Sequence, residues 1–171
     1  MKGFIASIFF ISGMYDMYVN DCRGDGCLAG DDAPARLSLQ IAATEFQSDF
    51  IGSEVMLGYD LPRTYGPFQP TIGLSMTDMG DYWVGLGAKW TVDDAATGPF
   101  FFETAFIPGY YQHRDGPDLG GHIQYRASVG VGYAFENGSS VLLAYDHRSN
   151  ANTIFPNPGL ETLSIRYAIE F

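Results

Sequence analysis

Ile123-Gln124-Tyr125-Arg126-Ala127-Ser128-Val129-Gly130-Val131-Gly132-Tyr133-Ala134-Phe135 is the stretch that decides the fold. Its odd positions are apolar or aromatic, and its even positions are polar or small. Residues two apart on a β-strand share a face, so the pattern predicts a strand with one greasy side. Working outward, the same alternation recurs at residues 37–43, 51–61, 68–76, 82–91, 100–106, 141–147 and 161–171. Trp83 and Phe101 are exceptions and fall on the less apolar side. The segments between carry turn chemistry, as in Asn137-Gly138, Pro62-Arg63-Thr64-Tyr65-Gly66 and the run from Asp93 to Gly98. No stretch has a helical period. Eight antiparallel strands make a closed barrel or a sandwich.

The polar face decides between water and lipid as the solvent. A soluble barrel exposes Lys, Glu and Thr. Here that face is small and sparse: Gly52, Gly58, Gly73, Gly85, Gly87, Gly130, Gly132, Ser38, Ser75 and Ser128. Its few charges are of both signs: Glu54, Lys89, Glu103, Arg126 and Arg166. Such residues fit a crowded lumen in which buried charges pair. The continuous aromatic face is intolerable in water and expected in lipid. The strands match the ~9–11 residues that cross a bilayer. The expectation is an all-β, eight-stranded antiparallel transmembrane β-barrel over residues 31–171. Its last strand ends on Phe171, with an apolar or aromatic residue at every second position back to Leu163. That ending resembles the C-terminal signal read by the barrel-assembly machinery of bacterial outer membranes.

Residues 1–30 read differently. Lys2 precedes the apolar run from Gly3 to Ile11, which resembles an export signal with a short core, although no cleavage site is obvious. Cys22 and Cys27 are the only cysteines. They suit a small disulfide loop in an oxidising compartment. They do not make a zinc site without further ligands, and His113, His122 and His147 lie far off in sequence. No metal or cofactor is expected. A net charge of −11 argues against nucleic acid as a partner. It would also repel phosphorylated lipid headgroups unless divalent cations bridge them.

The chemistry-bearing residues cluster near the end of the chain. Tyr145-Asp146-His147-Arg148-Ser149-Asn150 closes the seventh segment, and Glu161 opens the eighth. A histidine, a serine and a carboxylate are the parts of a hydrolytic nucleophile system. His147, Ser149 and Glu161 share odd-numbered parity with Leu163, Ile165, Tyr167 and Ile169, so all three project from the greasy face. Catalytic groups belong there if the substrate is a lipid. With both termini on the periplasmic side, this end of the strands lies at the extracellular rim. The lipid there is lipopolysaccharide. Asp146 and Arg148 fall on the lumenal face. His113 and His122 flank a loop and read as solvated residues. Gly120-Gly121 reads as a turn and not a phosphate cradle, since no helix follows.

The segments His147-Arg148-Ser149-Asn150-Ala151 and Asn157-Pro158-Gly159-Leu160-Glu161 resemble the signature of the lipid A 3-O-deacylases, the PagL family. The motif similarity covers roughly residues 145–171. The resemblance implies an eight-stranded outer-membrane serine hydrolase without metal or cofactor. Ser149 is then the nucleophile, His147 the general base and Glu161 its orienting carboxylate. Asn157 is the first candidate for the oxyanion donor and Asn150 the second, with neighbouring backbone N–H groups as possible contributors. The implied partners are lipid A in lipopolysaccharide and the outer membrane itself. Two other readings share much of this pattern. One is a non-enzymatic outer-membrane barrel of the OmpA/OmpX kind. The other is a soluble lipocalin-like binder, which the outward aromatic face and Phe171 oppose.

Overall fold

A computed structural model of the chain describes residues 3–24, 26–93 and 98–171. One helix, α1 (Gly3–Asn20), precedes ten strands. These are β1 (Gly30–Asp32), β2 (Arg36–Phe46), β3 (Asp49–Asp60), β4 (Arg63–Tyr65), β5 (Phe68–Thr77), β6 (Tyr82–Asp93), β7 (Phe100–Gln112), β8 (Ile123–Ala134), β9 (Ser139–Ser149) and β10 (Leu160–Glu170). The eight long strands coincide with the eight alternating segments. Each pairs antiparallel with its neighbours, and β10 returns to β2 along the whole register from Glu161↔Glu45 to Glu170↔Arg36. The sheet is therefore a closed eight-stranded barrel without an edge.

Three features differ from the sequence reading. Strand β7 runs six residues past the predicted end, through Pro108 and Gly109. Pro108 faces outward opposite Leu86, where the β6–β7 ladder skips its pairing, so the missing N–H is tolerated. The segments β1 and β4 form a small ribbon joined to β5 at Tyr65↔Phe68. Residues 3–20, read without a helical period, form a helix. That segment is apolar on nearly all sides, so it has no amphipathic stripe to read. Among the described residues no helix is long and apolar enough to cross a membrane alone. Helix α1 instead lies over the outside of the barrel, mainly against β7, β8 and β9: Phe10 packs on Phe68 and Phe106, and Gly13 lies close against the Trp90 ring. A disulfide joins Cys22 to Cys27. Most of the turn read between Asp93 and Gly98 lies outside the described residues.

The two faces of the barrel are chemically inverted relative to a soluble protein. Leu37, Ile41, Leu57, Leu74, Leu86, Val131, Leu143, Ile165 and Phe171 are exposed on the outside. Inside, charges are buried and paired. Glu54 accepts from Arg126 at 2.7 Å and from Arg148 at 2.6 Å. Asp146 accepts from Arg126 at 2.9 Å, and also from Gln40 and Thr162. Gln40 accepts from Arg166, which pairs with Glu103. Lys89 joins Glu103 to Asp60, and Asp60 takes a 2.6 Å hydrogen bond from Thr71. The lumenal charges thus form one chain of contacts that crosses the barrel. A buried charge left unpaired is costly, so this lattice ties the strands to one register.

The end of the barrel that carries the 113–122 and 150–159 loops is plugged. Trp83 is fully buried at the centre, with the guanidinium carbons of Arg126 and Arg148 at 5.6 and 5.5 Å from its ring. Tyr111, Leu119 and Leu160 pack into the same cluster. Leu119 is carried in by the 113–122 loop. That loop is pinned because Asp81 accepts the N–H groups of Arg114 and Gly116 and the hydroxyl of Tyr111. Gly120 and Gly121 have positive φ, as their turn reading requires. The first lies tight against the Pro156 carbonyl of the next loop. The barrel is a packed scaffold rather than a pore.

Candidate active site on the outer face

Alternation along β9 sorts the residues of the 145–150 stretch onto two faces. Asp146, Arg148 and Asn150 point inward and are buried. Tyr145, His147 and Ser149 point outward and are half-buried. Each outward residue is thus flanked on the backbone by inward residues locked in place. Arg148 is held by Glu54 and Asp146 by Arg126. Asn150 Nδ2 donates into the carbonyls of Leu119, Gly120, Ile154 and Pro156.

Strand β10 brings the carboxylate. Glu161 stands directly across from His147 in the β9–β10 ladder. Nδ1 of His147 lies 3.4 Å from Oε1 of Glu161. That contact turns the Nδ1 edge of the ring toward the carboxylate. His147, Ser149 and Glu161 line one outward cleft of about 520 Å³, with Asn157, Asn152 and Gly159 at its rim and Phe106, Tyr125 and Ala127 on its membrane side. Ser7 of α1 also borders it.

Of the two asparagines read as oxyanion donors, the structure puts only Asn157 in the cleft. The Asn150 side chain is fully buried and its amide is engaged by four loop carbonyls, so it orders the 150–159 loop instead of facing the cleft. The alternation itself gives this placement, because the next residue after an outward serine on a strand points inward. Asn157 accepts the Asn150 backbone N–H at 3.0 Å and donates one amide hydrogen to Asn152 Oδ1 at 3.1 Å. Its second amide hydrogen is left for another acceptor. Ala151 and Asn152 both have positive φ (54° and 61°), so the chain doubles back immediately beyond Ser149.

Gly159 is a residue whose role the sequence did not disclose. Its φ is +75°, and a Cβ there would meet Cε1 of His147 at 2.9 Å. The turn needs a left-handed residue, and the imidazole needs the space. The pairing of Arg148 with Glu54, 94 positions apart in sequence, was also beyond local pattern. His122 does not enter the cleft; its ring stacks on Tyr110 with centroids 5.0 Å apart.

The architecture and the cleft define a class: a transmembrane β-barrel with a histidine, a serine and a glutamate gathered in one cleft on its outer surface. The comparisons with known proteins sharpen this. A family model described as lipid A 3-O-deacylase (PagL) matches residues 52–170. The chain belongs to the lipid A 3-O-deacylase (PagL) family. Among solved structures it is similar to the crystal structure of the outer membrane enzyme PagL, with a TM-score of 0.64 and 22% identity over 80% of this chain and 99% of that one. It is also similar to a de novo designed transmembrane β-barrel, with a TM-score of 0.59 and 11% identity over 82% of this chain and 98% of that one. Neisserial surface protein A has a TM-score of 0.56 at 12% identity, over 84% of this chain and 99% of that one. These structural likenesses speak to the fold. No curated protein sequence gives a significant match to the chain.

Proposed function

We propose that this chain hydrolyses the ester-linked 3-hydroxyacyl group at position 3 of lipid A in the outer leaflet of the bacterial outer membrane, using Ser149 as nucleophile. The observation that carries the reading is the outward cleft in which His147 Nδ1 lies 3.4 Å from Glu161, with Ser149 two residues along the same face. A polar set on the lipid side of a membrane barrel is costly there without a role.

In this mechanism Ser149 Oγ attacks the ester carbonyl while His147 Nε2 takes its proton. Glu161 holds the ring orientation and stabilises the imidazolium. The tetrahedral oxyanion is met by the remaining Asn157 amide hydrogen, with the backbone N–H groups of Ala151 and Asn152 beside it. Collapse breaks the bond to the sugar oxygen, which leaves as the 3-hydroxyl after taking the proton from His147. Water, deprotonated by His147, then attacks the acyl-serine carbonyl; the bond to Ser149 Oγ breaks, the imidazolium returns its proton to that oxygen, and the 3-hydroxy fatty acid leaves with Ser149 and His147 restored. Atoms and charges balance without a metal or cofactor.

The test is direct. Purified barrel in detergent micelles, incubated with lipid A, should release free 3-hydroxy fatty acid, and Ser149→Ala should release none. Release at an undiminished rate by that variant would overturn the assignment of the nucleophile.

A further inference from the structure

One polar group on the outer wall beside the cleft has no part in the mechanism above. Tyr145 shares the outward face of β9 with His147 and Ser149. Its hydroxyl oxygen is buried and has no hydrogen-bond partner among the described residues. A buried hydroxyl left unpaired is costly. The side chains directly beside it offer no acceptor: Tyr145 faces Val129 across β8 and Leu163 across β10. Glu161 is its diagonal neighbour, because Leu163 faces Tyr145 and Glu161 faces His147. Diagonal pairs on one face of a ladder are within reach of an aromatic side chain. Among its acidic neighbours the hydroxyl feels the charge of Glu161 first, then Glu45 and Asp146. Asp146 is turned to the lumen and held there by Arg126.

Glu161 has the complementary deficit. Its side chain is only 16% exposed, and its one polar contact among the described residues is that of Oε1 with His147. Oε2 has no donor there. On the far side of Glu161 stands a second carboxylate, Glu45, directly across from it in the β2–β10 ladder. Like charges directly opposite each other on a sheet repel. That repulsion works against a carboxylate that has to stay charged and aimed at the imidazole.

We propose that Tyr145 is a positioning residue, whose hydroxyl donates to Oε2 of Glu161 and holds that carboxylate on His147 against the repulsion of Glu45. This rests on the reading of His147 as general base and Glu161 as its orienting carboxylate. A hydrogen bond to the charged form of a carboxylate favours that form. Catalytic hydrogen bonds commonly tighten only in the complex with substrate, and the Nδ1–Oε1 contact is itself long at 3.4 Å. The hydroxyl closes on Oε2 as the imidazolium forms. Tyr145 does not line the cleft, and Ser149 lies beyond His147 on the same strand. The hydroxyl therefore acts through Glu161 and His147 and never on the ester.

The experiment is a double-mutant cycle on the full-length barrel in micelles, with release of 3-hydroxy fatty acid from lipid A as the readout. Tyr145→Phe removes the hydroxyl and keeps the ring. It should lower kcat about tenfold and leave KM unchanged. In a Glu161→Ala barrel the same change should cost nothing further, because the group it acts through is gone. Tyr167→Phe, on an exposed outward tyrosine of β10, should keep the native kcat. Heat-modifiable migration checks that each variant is folded. Full kcat in Tyr145→Phe would overturn the proposal. So would an equal further loss in the Glu161→Ala barrel, which is the mark of a merely structural ring. An undiminished rate in Glu161→Ala itself would instead sink the reading of the site on which the proposal rests.

Discussion

Inside the barrel, the Arg148 guanidinium donates to Glu54 at 2.6 Å, while the residues on either side of Arg148, His147 and Ser149, project into the membrane-facing cleft. The lumenal lattice and the outward site are therefore two faces of one strand. Rigidity built on the inside fixes positions on the outside, where lipid offers no polar support. Glu54→Ala leaves Arg126 and Arg148 buried without their shared carboxylate. The expected cost is about 3–5 kcal/mol, read as a lower urea midpoint for unfolding of the barrel in lipid vesicles.

The catalytic assignment predicts a steep and uneven loss. Ser149→Ala and His147→Ala should each abolish measurable lipid A deacylation, while the barrel keeps its heat-modifiable migration. Glu161→Gln should preserve the fold and lower kcat by roughly 10²–10⁴-fold, since an orienting carboxylate acts through the imidazole. Steady-state rates on lipid A in micelles separate these cases.

Gly159 supplies a sharper geometric test. Gly159→Ala puts a methyl 2.9 Å from His147 Cε1 and places a side chain at φ +75°. The backbone conformation alone costs about 1–2 kcal/mol. The displaced imidazole should lower kcat more than it raises KM, whereas a purely structural role would lower stability and leave kcat in the folded fraction intact.

Much of this was legible in the sequence, and the gaps follow physical lines. Period-two alternation exposed all eight barrel strands, because each residue of a thin barrel wall faces either lipid or lumen. The shared face of His147, Ser149 and Glu161 came from the same parity. Reading failed where parity carries no signal. Residues 107–112 of β7 were lost behind Pro108-Gly109, a pair that looks like a break but sits where the ladder has a gap. Helix α1 has no amphipathic period. Asn150 is a different case: it was named the second oxyanion candidate from the resemblance, while parity turns it inward, where four carbonyls hold it. The lumenal partners of Arg126, Arg148 and Arg166 come from strands distant in sequence, so only charge balance hinted at them.

Asn157 is assigned the oxyanion, and its substitution separates transition-state stabilisation from loop order. Asn157→Ala should lower kcat about 10²–10³-fold with little change in KM. It also removes the acceptor for the Asn150 N–H. Asn157→Asp keeps that acceptor but puts a negative charge opposite the oxyanion, and should be at least as damaging. Recovery of kcat in the aspartate variant would mean that Asn157 serves the loop alone.

The central claim is most directly tested on the lipid itself. Mass spectra of lipid A from cells producing the native chain, compared with cells producing Ser149→Ala, should differ by one 3-hydroxyacyl group, lost only with the native chain. Identical spectra, with both barrels folded in the outer membrane, would contradict the account and leave the barrel as an envelope structural protein.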